Sequence, residues 1–207
     1  MTNWLLRTFV RNSDHLEDSK VRAAVGQLAG LVGIVCNVLL FSGKLAVGLL
    51  THSVSITADA MNNLSDATSS IVTMLGFRLA ERPADEGHPF GHARYEYLSG
   101  LAVSALILII GVELGKSSLD KIFHPSTVIL TWVTAAVLAA SILIKLWMSH
   151  FNTALGKKIH SATLAATAAD SRNDVITTTA VLIAALVEHF TSLPVDGYMG
   201  FAVCLFI

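Results

Sequence analysis

Amide and carboxylate side chains occur four residues apart in two apolar segments of the chain. Asn62 and Asp66 form one pair, and Asp170 and Asp174 form the other. Residues four apart share one face of a helix, so each pair predicts two oxygen ligands on the same face. Carboxylate and carbonyl oxygens suit hard divalent cations such as Mn²⁺. The two pairs therefore predict a metal site made only of oxygen ligands.

The two pairs are also expected at matching depths in a membrane. Twelve residues separate Asp66 from Arg78, and twelve separate Asp170 from Lys158. At about 1.5 Å per residue, both aspartates lie about 18 Å from these charges, near the middle of a bilayer of about 30 Å. If the two helices are antiparallel, Asn62 and Asp174 are level with each other as well. The pairs should then converge as one midplane quartet.

Three aspartates in the membrane interior need compensation. Each costs about 2.5–3.5 kcal/mol at a helix centre, which gives roughly 8–10 kcal/mol for three. A bound divalent cation would offset this cost. The alternative is an internal ion pair in which Arg172 neutralises one carboxylate and leaves two unpaired. Lys44 and Lys145 could snorkel or pair and are assigned no role, while Asp59 is expected near the outer interface as a structural or entrance group.

A second set of ligand types lies in a polar segment. Asp85, His88 and His92 are spaced by three and four residues, and imidazole with carboxylate is a common set for divalent metals. Gly87 and Gly91, with a proline between them, should keep the segment non-helical, so the spacing alone does not guarantee convergence. The alternative is a solvated loop with titrating histidines. On spacing alone, the two interpretations are equally supported.

The composition places these residues in a membrane protein. Of 207 residues, 53% are hydrophobic and 14% are charged, whereas soluble domains carry about 25% charged residues. The net charge of −1 argues against nucleic-acid binding, which needs a clustered basic excess. Pairs of Ser/His or Cys/His at matching depth are missing from the apolar segments, so an enzyme is not predicted.

The apolar segments predict an all-α, polytopic bundle of six helices. The predicted ranges are Ala23–Leu50, Ser53–Leu79, Tyr97–Leu119, Thr127–His150, Ile159–Val187 and a sixth from Val195 to Ile207. A very short turn at residues 51–52 should join the first two. The sixth would rise only about 20 Å, too short to span, which predicts that the natural sequence continues. Residues 1–22 are expected to form an N-terminal arm, and residues 23–207 the transmembrane domain.

The positions of lysine and arginine predict the orientation, because cytoplasmic segments are enriched in both. Those on one side are Arg7, Arg11, Lys20, Arg22, Arg78, Arg82, Arg94, Lys157 and Lys158, against Lys116 and Lys121 on the other. The N-terminus, the second-to-third connection and the fourth-to-fifth connection should therefore be cytoplasmic.

The chain resembles the cation diffusion facilitator family from the first helix to the start of the sixth. The residues that carry the resemblance are Ser53-Val54-Ser55-Ile56 followed by Asp59-Ala60, the Asn62/Asp66 pair, the segment Asp85–His92 running into Arg94-Tyr95-Glu96, and the Asp170/Asp174 pair. Together these motifs are specific, whereas each alone is weak.

The resemblance implies a homodimeric, proton-coupled exporter of divalent metals with six helices per subunit. It also implies a midplane site between the second and fifth helices, and it strengthens the case for a loop-borne site at Asp85, His88 and His92. Whole members of the family usually end in a small cytoplasmic metal-binding domain, which these residues do not include.

The choice of metal follows from the ligands. Zinc-transporting members of the family typically have a histidine in the quartet, whereas the oxygen-only set of this chain resembles manganese-exporting relatives. The expectation is therefore a multi-pass protein of the plasma membrane that exports Mn²⁺ and has no permanently bound cofactor. The alternatives are export of zinc, iron or cadmium, and a membrane metal sensor that does not transport.

Overall fold

The computed structural model describes residues 2–10, 18–50, 54–124, 131–191 and 195–206, and these form an all-α bundle. No strand occurs within the described ranges. The helices are α1 (Thr2–Phe9), α2 (Ser19–Leu50), α3 (Val54–Ala80), α4 (Arg94–Phe123), α5 (Trp132–Ile159), α6 (Ala162–Thr191) and α7 (Asp196–Phe206). The predicted fold class is confirmed. The six predicted helices correspond to α2 to α7, and the turn at residues 51–52 lies outside the described residues.

The largest difference from the predicted boundaries is at the end of α5. The helix was predicted to end at His150 and continues to Ile159, so Lys157 and Lys158 lie in its last turn rather than in a connection. Positive side chains are favourable there because the C-terminal end of a helix carries partial negative charge. The amphiphilic segment after His150 is helical because its apolar face is buried, with Phe151 and Leu155 both at 1% exposure or less.

The turn between α5 and α6 explains why α6 begins later than predicted. His160 has a left-handed backbone conformation, with φ 49° and ψ 45°, which ends α5. The side chain of Ser161 then accepts a hydrogen bond from the backbone N–H of Leu164 at 3.3 Å. A serine in this position satisfies an unpaired N–H of the first helical turn. The break therefore lies at residues 160–161, and α6 begins at Ala162.

The predicted N-terminal arm contains the short helix α1. Leu6 and Val10 are each 3% exposed and belong to the same buried cluster as Phe77, Phe151 and Leu155. The arm is thus attached to the end of the bundle at which α3 and α5 terminate. An apolar stripe on a short segment is stabilised by packing rather than by helix propensity alone.

Glycines on α2 allow α3 to lie unusually close. A Cβ atom at Gly30 would lie 2.6 Å from the Cβ of Met74, and one at Gly33 would lie 2.6 Å from the Oγ of Ser70. Larger residues at these positions would push the helices apart, as expected for small residues in membrane helix pairs. This contact sets the rotation of α3 about its own axis, and therefore which of its polar residues face the bundle.

Three helices are long and apolar enough to cross a membrane by length and composition, namely α2, α4 and α5. α3 and α6 have 27 and 30 residues, which also suffices by length. Their sequences are less apolar because they carry the two predicted pairs. The helices that hold the candidate site are thus the most polar of the long helices.

Candidate functional site

The three aspartates of the predicted quartet converge in the bundle. Asp66 lies on α3, and Asp170 and Asp174 lie on α6; each places one carboxylate oxygen within 4.8 Å of the others. Oxygen ligands bind hard divalent cations at about 2.0–2.6 Å, so two ligands of one ion are at most about 5 Å apart. The separation therefore fits a single ion. These three residues are called the midplane cluster below.

Lys145, on α5, contacts the midplane cluster directly. Its Nζ lies 2.7 Å from Oδ2 of Asp66 and 2.6 Å from Oδ2 of Asp174. Lys145 is 3% exposed and Asp66 is 2% exposed, so the pair is shielded by α3, α5 and α6. Asp170 takes no part in either ion pair.

From the sequence, Lys145 is assigned no role, and Arg172 is the alternative internal counter-ion. Arg172 is exposed, and the ion pairs are made by Lys145 instead. The signal that could have identified it is its depth. Thirteen residues separate Lys145 from Lys158, almost the spacing that placed Asp66 and Asp170 in the middle of the bilayer.

The two neighbouring asparagines of α3 are placed differently. Asn62, the predicted fourth ligand, is exposed. Asn63 is 3% exposed, and its Nδ2 donates a hydrogen bond to Oδ2 of Asp66 at 3.3 Å. The amide oxygen Oδ1 of Asn63 is buried and has no hydrogen-bond partner among the described residues. The structure therefore joins Asp66 to Asn63 and leaves the Asn62 side chain outside this contact.

α3 and α6 also meet between the midplane cluster and the end of the bundle that carries residues 81–93. The hydroxyls of Thr73 and Thr167 lie 3.2 Å apart and share a hydrogen bond, and both side chains are buried. Thr73 is about two turns from Asp66, and Thr167 is about one turn from Asp170. The contact closes the seam between the two helices on this side of the cluster.

A further buried lysine pairs with Asp59. Nζ of Lys44, on α2, lies 2.8 Å from Oδ2 of Asp59 on α3, and Lys44 is 3% exposed. Asp59 lies about two turns from Asp66 on α3, toward the opposite end from the loop. This pair accounts for both residues without any part in the midplane cluster.

The loop between α3 and α4 brings its three predicted ligands together. Oδ1 of Asp85 accepts a hydrogen bond from the backbone N–H of His88 at 2.7 Å and lies 3.1 Å from its Nδ1. Nε2 of His92 lies 3.4 Å from Oδ2 of Asp85. One ligand atom from each residue lies within 4.8 Å of the others. This set, Asp85, His88 and His92, is called the loop cluster.

The surroundings of His92 favour metal binding through one nitrogen. His92 is 7% exposed, and its Nδ1 lies 3.0 Å from the carbonyl oxygen of Pro83. A carbonyl oxygen only accepts, so Nδ1 carries the proton, and Nε2, 3.4 Å from Oδ2 of Asp85, is the nitrogen that could bind a metal. Fixing the tautomer through the second nitrogen is the usual support of a metal-binding histidine.

The carboxyl of Asp85 is held in its ionised form. Desolvation acts to raise its pKa, but hydrogen bonds from the side chain and backbone of His88, with charge interactions from both histidines, outweigh it and lower the pKa below its ordinary value. The loop cluster therefore keeps a carboxylate ready to bind a cation across the physiological pH range.

Comparison with known proteins identifies the family of the chain. The model of the cation efflux transmembrane domain matches residues 30–207. The manganese efflux system protein MneS of Bacillus subtilis is 30% identical over 182 residues, covering 88% of this chain and 63% of that protein. An uncharacterized transporter of Methanocaldococcus jannaschii is 30% identical over 177 residues, covering 86% of this chain and 62% of the relative.

A third similar protein is mitochondrial metal transporter 1 of Saccharomyces cerevisiae, with 29% identity over 192 residues, 82% of this chain and 38% of the yeast protein. The chain thus spans less than two thirds of the length of these relatives. The matched domain covers α3 to α6 and hence both clusters. This chain belongs to the cation diffusion facilitator family of cation efflux proteins.

Proposed function

We propose that the protein is a secondary transporter that exports Mn²⁺ from the cytoplasm, with protons moving in the opposite direction. The observation that carries the proposal is the convergence of Asp66, Asp170 and Asp174, from two different helices, to within the diameter of one coordination shell. Intramembrane carboxylates are costly, and they are typical of ion pathways. Lys145 pairs with Asp66 and Asp174 but not with Asp170, and a bound metal would neutralise all three carboxylates.

The preference for Mn²⁺ rests on the ligand atoms. The midplane cluster offers carboxylate oxygens, which suit Mn²⁺, and no imidazole, which would favour Zn²⁺. The names of two similar proteins of Bacillus subtilis, MneS and MneP, describe manganese efflux systems. Because intrinsic affinities favour Zn²⁺ over Mn²⁺, selection here must come from ligand type and geometry.

The fourth ligand is an amide oxygen of α3. The family resemblance assigns it to Asn62, which shares a helix face with Asp66. The buried Asn63 is the competing residue, because its amide contacts Asp66 through Nδ2 and its Oδ1 has no hydrogen-bond partner among the described residues. Neighbouring residues are about 100° apart around a helix, so Asn62 and Asn63 cannot both face Asp66 at the same time.

Exchange with protons follows from the chemistry of carboxylate ligands. A carboxylate binds a metal ion in its deprotonated form, so protonation and metal binding compete for the same oxygens. Protons entering from the far side would release the metal there. The seam closed by Thr73 and Thr167 separates the cluster from the loop end of the bundle, and its opening would admit the ion from that end.

The orientation, location and assembly are part of the same proposal. Arg78, Lys157 and Lys158 lie in the last turns of α3 and α5, which favours the loop end as the cytoplasmic one. The N-terminus would then be cytoplasmic, and the protein a multi-pass component of the plasma membrane. Homodimerisation is proposed from the family resemblance, and the loop cluster would bind a second ion at the cytoplasmic entrance.

The test is metal uptake into proteoliposomes, with Mn²⁺, Zn²⁺, Fe²⁺ and Cd²⁺ compared under the same conditions. We expect Mn²⁺ to be transported fastest and Asp170→Asn to abolish transport. Asp59→Asn is the matched control, because it removes a carboxylate of α3 that pairs with Lys44 outside the cluster. Metal binding without flux would identify a sensor rather than a transporter, and equal loss in both variants would remove the midplane cluster from the mechanism.

A further inference from the structure

We propose that Lys145 is a tethered cation that competes with the transported metal for Asp66 and Asp174, and thereby limits the affinity of the site to a value that allows release. This inference rests on the proposed function of the midplane cluster. It assigns a part in ion binding to a residue of α5, whereas the ligands themselves come from α3 and α6.

The position of the ammonium group supports competition. Its nitrogen lies between the two helices, at 2.7 Å from Oδ2 of Asp66 and 2.6 Å from Oδ2 of Asp174. These distances are those of charge-assisted hydrogen bonds. An ion that binds both carboxylates and Asp170 must take oxygens from the same groups. The ammonium therefore has to give up at least one contact when the metal enters.

The positive charge of Lys145, like its position, should weaken the binding of a metal ion to the cluster. Three ionised carboxylates carry a formal charge of −3, and one ammonium reduces it to −2. A divalent ion bound to the cluster is then attracted by three carboxylates and repelled by a cation a few ångströms away. Lys145 is 3% exposed, so water screens this repulsion weakly. Removing the charge should strengthen metal binding.

A purely structural role predicts the opposite sign. If Lys145 only draws Asp66 and Asp174 together, its loss lets the carboxylates separate, and metal binding becomes weaker. The direction of the change in affinity therefore distinguishes the two roles. Transport should separate them too, because a tighter site releases its ion more slowly.

A second consequence concerns the charge of the ion. The repulsion between Lys145 and a bound ion scales with the charge of that ion. The gain in affinity on removing Lys145 should therefore be larger for a trivalent ion than for Mn²⁺, with the logarithms of the two gains in a ratio of about three to two. Lys145 would therefore lower the affinity of the site for trivalent ions more than its affinity for divalent ions.

The experiment measures Mn²⁺ binding to detergent-purified protein by isothermal titration calorimetry. Wild type is compared with Lys145→Met, whose unbranched side chain is one atom shorter and carries no charge. Lys44→Met is the matched control, since Lys44 is equally buried and pairs with Asp59 outside the cluster. We expect Lys145→Met to bind Mn²⁺ about tenfold more tightly or better, and Lys44→Met to bind as wild type does.

Terbium(III) provides the charge test in the same proteins. If Mn²⁺ binding tightens tenfold in Lys145→Met, Tb³⁺ binding should tighten about 30-fold. Unchanged or weaker Mn²⁺ binding in folded Lys145→Met would overturn the inference. An equal gain in Lys44→Met would also overturn it, because the effect would then come from the removal of any buried charge.

If Lys145→Met does not fold, a second pair of variants tests the same inference. Asp174→Asn and the double variant Asp174→Asn/Lys145→Met leave only Asp66 ionised beside position 145, and the double variant should bind Mn²⁺ more tightly than the single one. Equal or weaker binding would overturn the inference. If wild type and Asp66→Asn bind Mn²⁺ equally, or neither binds it, the proposed function itself fails. If Asp66→Asn abolishes binding but removing Lys145 does not tighten it, only the role of Lys145 fails.

Discussion

The midplane cluster and the loop cluster each bring three candidate metal ligands to within 4.8 Å of one another, yet their chemistry differs. The midplane cluster is made of carboxylates inside the bundle, with a lysine bridging two of them. The loop cluster combines one carboxylate with two imidazoles, and two of its members, Asp85 and His88, are exposed. The two clusters have similar geometry, but the free-energy cost of holding charged groups together is much higher in the buried midplane cluster.

The difference favours the midplane cluster as the one that would drive the proposed transport. Buried carboxylates without a cation are strongly disfavoured, so the midplane cluster must always hold a positive charge, whether metal, proton or lysine. Exchanging one of these for another is a natural driving force for conformational change. The loop cluster is solvated and paired within itself, so it can lose an ion at little cost. We expect the loop cluster to modulate a process that the midplane cluster carries out.

The largest expected effect is on transport after loss of a midplane ligand. Asp66→Ala should lower the rate of Mn²⁺ transport by about 100-fold or more, since even the supporting partners of ligands contribute 10–100-fold. His88→Ala should lower it by less than about fivefold, because exposed charge interactions contribute about 1 kcal/mol at most. Initial uptake rates in proteoliposomes give both values. Comparable losses in the two variants would show that the clusters contribute equally.

A pH gradient should act through the midplane carboxylates. For each proton exchanged, an imposed gradient of one pH unit should change the steady-state ratio of Mn²⁺ across the membrane by about tenfold, because one unit corresponds to about 1.4 kcal/mol. The same response is expected in His88→Ala, which leaves the midplane cluster intact. Mn²⁺ flux that is indifferent to imposing or collapsing the gradient would exclude proton exchange.

Selectivity should change with the amide ligand of α3. Asn62→His should raise the ratio of Zn²⁺ to Mn²⁺ uptake about tenfold by replacing a carbonyl oxygen with an imidazole nitrogen. Total transport should survive because the carboxylates remain. Asn63→His is the matched variant, since Asn63 is the buried neighbour that contacts Asp66. A shift in Asn63→His alone would transfer the ligand role to Asn63, and unchanged ratios in both would remove the amide from the site.

The smallest effect is expected on the local stability of the loop between α3 and α4. Asp85→Asn removes the carboxylate that both histidines face, and amide hydrogen exchange over residues 85–92 should rise a few-fold. Because folding lowers the pKa of Asp85, its stabilisation of the loop is fully present above the ordinary carboxyl value. It should be lost only as the pH falls through the lowered value. Exchange in Asp85→Asn that equals wild type at neutral pH would contradict the role of this carboxylate.

The sequence by itself determined the membrane bundle and the matching positions of the aspartates along their helices. Because helical rise is constant, the number of residues from Arg78 and from Lys158 predicts that Asp66 and Asp170 lie at one depth. The same counting, applied to Lys145, would have identified the third helix at the site. The loop ligands were visible by residue type, but their convergence depends on a non-helical backbone whose path spacing does not define.

Only the tertiary structure decided which faces of the helices meet. Asn62 and Asn63 differ by about 100° around α3, and an apolar membrane helix has little amphipathic pattern from which to infer its rotation. The glycines of α2 fix that rotation by admitting Met74 and Ser70 at short distance. Packing also decided that Lys145, and not Arg172, is the internal cation. Local spacing determines depth along an axis, whereas rotation about it depends on contacts between residues far apart in the chain.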